Sequence, residues 1–145
     1  MEAWSIELYE TRSEIQNGIS ENISSGYIPT GITYLGDALY VLYIKIGSSA
    51  SAWRIVPSQA NLQSVQSTVQ PFIDEGYLPT GITSFGDEYL TLLLLIPDSP
   101  ATEWGIESYQ VGHHGSYINE SIEKGYYPWG LRFRGDTIDM LYVAF

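Results

Sequence analysis

"GYIPTGITYLGD" (Gly26 to Asp37) returns as "GYLPTGITSFGD" (Gly76 to Asp87) and again, altered, as "GYYPWGLRFRGD" (Gly125 to Asp136). The three stretches align without gaps at offsets of 50 and 49 residues, and six of the twelve positions (Gly, Tyr, Pro, Gly, Gly, Asp) recur in every copy. A period near 50 residues is the sign of a repeat architecture, in which one unit cannot bury its apolar face alone.

Working outward, each copy is preceded by a Trp-x-Ile: Trp4 and Ile6, Trp53 and Ile55, Trp104 and Ile106. The chain therefore reads as a single domain, 1–145, made of three repeats, 3–47, 52–98 and 103–145. Linkers by composition, "GSSAS" (Gly47 to Ser51) and "PDSPAT" (Pro97 to Thr102), lie between them. Ile6 and Leu8 alternate with polar residues as in a half-buried strand. Ile15, Ile19 and Ile23 then fall four apart, as do Val65, Val69 and Ile73, which is helical spacing. The third unit keeps Ile118 and Ile122, but His114 replaces the first apolar member. Thr11 and Glu14 have the form of a capping box. Gly26, Gly76 and Gly125 are placed to end the three helices in the left-handed conformation, and Pro71 is predicted to kink or split the second helix.

Beyond each helix come two strands joined by a Gly-Asp turn, at Gly36-Asp37, Gly86-Asp87 and Gly135-Asp136. The return strands, "LYVLYIKI", "YLTLLLLI" and "IDMLYVAF", are nearly continuous apolar runs, so both of their faces are expected to be covered. The fold class expected is α+β: three pseudo-symmetric βαββ repeats of about 50 residues. The sheet should be mostly antiparallel with three helices packed on it. It can close if the last strand pairs back toward the first unit.

The order Trp, helix, Gly-Tyr-x-Pro, hairpin, aromatic-aliphatic strand resembles the tandem-repeat units found beside peptidase domains in bacterial polyglycine hydrolase-like proteins. The matching residues are Trp4, Trp53 and Trp104, with Gly26-Tyr27-Ile28-Pro29, Gly76-Tyr77-Leu78-Pro79 and Gly125-Tyr126-Tyr127-Pro128. Where those units carry an Arg before the Pro, this chain has Ile28, Leu78 and Tyr127. The resemblance implies an accessory or recognition role and transfers no active site.

Composition narrows the function classes. A chain of 145 residues with 44% hydrophobic and 16% charged residues has globular values and buries roughly two thirds of its unfolded surface. A net charge of −11, with only six scattered Lys and Arg, argues against nucleic acid and against an anionic membrane as partners. No cysteine is present, which excludes disulfides, thiolate metal sites and Cys nucleophiles. "MEAWSIELYE" carries acids where a signal peptide needs a basic region, and no apolar run approaches the ~20 residues of a membrane helix. A cytoplasmic location is expected.

No phosphate-binding loop, dinucleotide fingerprint, zinc-protease helix or nucleophile elbow occurs. Candidate chemistry lies where the third unit departs from the other two. "GHHGS" (Gly112 to Ser116) supplies His113 and His114 as a general base or metal ligands, and Ser116 as a nucleophile. Adjacent histidines point apart on regular structure, so the plainer reading is a polar helix start with Ser116 as N-cap. Trp129, Arg132 and Arg134 replace Thr and uncharged strand residues. Two guanidiniums two apart on a strand can hold a carboxylate or phosphate; by alternation Trp129 points to the opposite face. Asp139, where the other units have Tyr40 and Leu90, is the natural internal partner. Glu103, Glu107, Asp136 and Asp139 contain the residue types of an acid–base pair, but nothing in their spacing sets two of them across a substrate.

The function expected is a non-catalytic binding, regulatory or assembly domain, acting on a protein or small-molecule ligand or through homo-oligomers. The alternative is a small hydrolase or lyase with its site around His113, His114, Arg132 and Arg134. No cofactor or metal is expected.

Overall fold

The described residues form three separate three-stranded antiparallel sheets, each with one helix. The computed structural model describes residues 3–97 and 102–144; the side chains of His114, Phe133 and Arg134 lie outside the described residues. In the first unit, β1 (Ala3–Tyr9) leads to α1 (Arg12–Ser24), then β2 (Ile28–Leu35) and β3 (Ala38–Lys45). The same order gives β4 (Ala52–Gln59), α2 (Leu62–Asp74), β5 (Leu78–Phe85) and β6 (Glu88–Leu95). It then gives β7 (Glu103–Gln110), α3 (His114–Glu123), β8 (Tyr127–Arg134) and β9 (Thr137–Ala144).

The repeated residues set the local geometry. Thr11 accepts from the Glu14 amide while the Glu14 carboxylate accepts from the Thr11 amide, completing the capping box that starts α1. At the other end, Gly26 has φ of 87°, its amide donates to the Ile23 carbonyl, and the Tyr27 amide donates to the Asn22 carbonyl. The same paired bonds close α2 through Gly76 and Tyr77, and α3 through Gly125 and Tyr126. The tyrosine packs back on the helix it terminates: Tyr77 stands edge-on to Phe72, with ring centroids 5.9 Å apart. Each hairpin turns in two residues, with the Gly at positive φ.

Pro71 neither splits nor shortens α2, which runs unbroken to Asp74. Pro71 and Ser67 are both exposed. The interruption thus falls on the solvent side of the helix, away from Val65, Val69 and Ile73, which are buried.

The sheets do not close on one another. In each, the return strand lies in the middle: the orders are β1-β3-β2, β4-β6-β5 and β7-β9-β8. Both edges of β9 are thus taken by strands of its own unit, and it has no edge left to pair with the first unit.

The sheets meet instead through packing, β2 against β5 and β5 against β8. Glycine permits the approach. A Cβ on Gly81 would lie 3.2 Å from the Ile32 amide nitrogen, and one on Gly130 would lie 3.1 Å from the Thr80 carbonyl oxygen. Gly81 and Gly130 thus serve contact between sheets, not a turn.

A bulge accompanies each crossing. The pairing register slips between Pro29 and Gly31, Pro79 and Gly81, and Pro128 and Gly130. Thr30, Thr80 and Trp129 are the extra residues.

The core is correspondingly shared between neighbours. The first cluster joins Ile19, Ile32, Val41 and Tyr43 of unit one to Leu92 of unit two, with Trp53 and Ile55 packed on it. The second joins Val65, Val69, Ile82 and Leu93 of unit two to Ile106 and Leu141 of unit three, with Trp104 packed on it. Each tryptophan also donates to the preceding helix: Trp53 Nε1 to Ser20 Oγ at 3.3 Å, and Trp104 Nε1 to Gln70 Oε1 at 2.7 Å.

Candidate functional site

Arg132 sits on β8 directly opposite Asp139 of β9. Its Nη1 lies 3.1 Å from the Asp139 carboxylate, which is fully buried, and the arginine side chain is only 12% exposed. Ser108 donates to the other carboxylate oxygen at 2.5 Å. The guanidinium also reaches across the sheet junction. Its Nε donates to Ser84 Oγ of β5 at 2.6 Å, its Nη2 bonds the same oxygen, and its Cζ lies over the Tyr89 ring, 4.1 Å from the centroid. A guanidinium held by a carboxylate, a hydroxyl and an aromatic face is satisfied by the protein itself. Its chemical role is to fasten unit three to unit two.

Among the described side chains, the other candidates His113, Ser116 and Trp129 are not gathered around it. His113 is exposed and forms the N-cap of α3 through its backbone, with no side-chain capping bond. His114 opens the helix, and its side chain lies outside the described residues, as does that of Arg134. Ser116 is not the N-cap: it is exposed and already inside α3, because the helix begins three residues earlier than the Ser signal indicates. The four carboxylates also part company. Glu103 accepts from the Tyr126 hydroxyl, Glu107 from the Tyr109 hydroxyl at 2.6 Å, and Asp136 is exposed in a hairpin turn.

Trp129 stands elsewhere. The bulge at Pro128 and Gly130 interrupts the alternation that would set it against Arg132. It lines a mostly apolar cavity of about 280 Å³ together with Thr30, Thr80, Ile28 and Leu78. All three bulge residues therefore converge on one space, drawn from three sheets. A second cavity, of about 470 Å³, lies between units one and two and is lined by Tyr9, Arg12, Trp53, Arg54 and Phe85. Neither is lined by His113, Ser116, Arg132 or Asp139.

One buried constellation is missed by motif reading. Tyr9 and Tyr43 share a hydrogen bond of 2.7 Å, and Tyr9 donates to Glu7 at 2.7 Å. Tyr109, Tyr142 and Glu107 repeat the arrangement in unit three. Unit two has Val56, Ser58 and Leu93 at these positions, so the three members change together. That concerted change is the signal in the sequence. Burial first, then the bonds to Tyr43 and Glu7, pushes the Tyr9 phenol well above its usual range. Burial likewise pushes Tyr43 up to about 12 and raises Tyr109. Phenols that hold their protons so firmly serve as hydrogen-bond donors in the core, not as bases.

Among the described residues, no group of three or more His, Asp or Glu could hold a metal ion, and no helix is long and apolar enough to cross a membrane. No family model matches the chain. No curated protein matches it either.

Proposed function

We propose that the protein is a non-catalytic interaction module of three pseudo-symmetric repeats, whose two end faces are its binding surfaces. The carrying observation is where its large apolar side chains are exposed. Trp4, Ile6 and Leu8 of β1 stand in solvent, as do Ile122, Tyr127 and Leu131 of unit three, at the opposite end of the row of sheets. With Leu42 they make seven of the twelve large apolar side chains exposed among the described residues, and apolar side chains gathered in this way mark interaction surfaces. The hydrolase or lyase reading loses its main support, because Arg132 is engaged by Asp139, Ser84 and Tyr89. An accessory or recognition role agrees with the likeness to the peptidase-associated repeats.

Acrylamide quenching of tryptophan fluorescence in dilute protein tests this reading. Trp4 should be the most readily quenched of the four tryptophans, and Trp4→Phe should remove that component. If Trp4 is quenched no better than Trp53 and Trp104, its face is covered within a single chain and the reading fails.

A further inference from the structure

The same contact is built twice inside the chain, and each end of the row displays one unused half of it. At both internal junctions the incoming unit presents four features to its predecessor. These are a Trp and an Ile from its first strand, a Leu from its return strand, and a Gly from its bulged strand. In unit two they are Trp53, Ile55, Leu92 and Gly81; in unit three, Trp104, Ile106, Leu141 and Gly130. Unit one carries all four, as Trp4, Ile6, Leu42 and Gly31. There, however, Ile6 is 59% exposed against 4% for Ile106, and Leu42 is 39% exposed against 0% for Leu141. Gly31 is the clearest sign. It is not in the left-handed conformation, and the nearest atom to a Cβ placed on it is Leu42 Cβ at 3.9 Å. Nothing described within the chain requires glycine there, whereas a strand packed as β2 packs on β5 would.

The receiving half is displayed at the other end. Ser20 and Gln70, which accept the indole N–H groups, follow Ile19 and Val69; Asn119 follows Ile118 at the same place in α3 and is exposed. Ile32 and Ile82, which receive the next unit, are 5% and 1% exposed, while Leu131 at the matching position is 51% exposed.

We propose that the chain stacks head to tail on a second copy of itself. The face of Trp4, Ile6, Leu42 and Gly31 on one copy meets α3 and β8 of the other. The inference rests on the reading that the two end faces are binding surfaces, and it names their partner. Trp4 donates to Asn119, Leu42 covers Leu131, and Gly31 crosses Gly130, continuing the internal series. Because the two faces differ, the contact is heterologous and generates open chains or rings. Copies of charge −11 repel one another, so association of this apolar contact strengthens as salt screens the charge.

Sedimentation of the full-length protein over a concentration series, at low and high salt, tests it. Oligomers that grow with concentration are expected, and Trp4→Lys or Leu131→Lys should each weaken association roughly thirty-fold or more, as loss of a central anchor does. Mixing those two variants leaves one intact face on each, so a discrete heterodimer should form. Gly31→Val should abolish assembly while leaving the thermal midpoint of the monomer unchanged, which separates docking from folding. A wild type that stays monomeric at every concentration with Trp4 accessible would overturn the self-partner but leave the interaction surfaces standing. Variants that assemble as well as wild type, or a mixture that stays monomeric, would overturn the head-to-tail geometry.

Discussion

Arg132 illustrates how a residue that breaks a repeat can serve structure. It takes its place on β8 beside an Asp139 that replaces the Tyr40 and Leu90 of the other units, so the two departures are one device. Buried pairs of this kind are strongly destabilising to break, since removing one member leaves the other charged and desolvated. Asp139→Ala is expected to cost about 3–5 kcal/mol in urea denaturation. Arg132→Met combined with Asp139→Leu should recover most of that loss, because no charge is then left without its partner. The pairing was legible in the sequence from the matched departures in the third unit. That the guanidinium would also cross to Ser84 and Tyr89 was not, since those residues lie about fifty positions away and meet it only when β8 packs against β5.

At the scale of the element, helix ends and hairpins follow directly from the repeated Gly-Tyr and Gly-Asp pairs. What each strand does with its alternating residues does not. In β1 the apolar Ile6 and Leu8 face outward, and Glu7 and Tyr9 face in. The inward set carries the phenol network, and it gives the fold a dependence on alkaline pH. In the unfolded chain phenols titrate near 10, while in the folded protein Tyr43 is held up to about 12 and Tyr9 and Tyr109 are also raised. The folded state therefore keeps protons that the unfolded chain gives up. Its stability is full below pH 10 and is lost as the pH rises toward 12. Urea midpoints measured at pH 8 and pH 11 should fall accordingly, and Tyr43→Phe should make the fall shallower. A midpoint independent of pH over that interval would contradict the buried network.

For the whole molecule, identical residues have unequal roles according to position in the row. Trp53 and Trp104 pack on the preceding unit and bond its helix, while Trp4 is 62% exposed. Trp53→Ala is expected to destabilise the monomer by about 3 kcal/mol, as large aromatic truncations do. Trp4→Ala should stay within about 0.5 kcal/mol, as exposed positions do. Thermal unfolding in dilute protein compares the two. Equal losses would mean that the first unit is covered after all, and that the row is closed.

The sequence by itself determined the elements and their order. Helical spacing, left-handed glycines and two-residue turns act over a few neighbouring residues, so their signals are local and recur in each unit. Only the tertiary structure decided which apolar residues are core, that the return strand takes the centre of each sheet, and that the sheets line up without closing. Those outcomes depend on contacts between residues about fifty apart, where Gly81 and Gly130 let backbones touch and Ile82 is covered while Leu131 is not. A repeat fixes what each unit can offer its neighbour; whether a neighbour is present to cover it is a property of the assembled row.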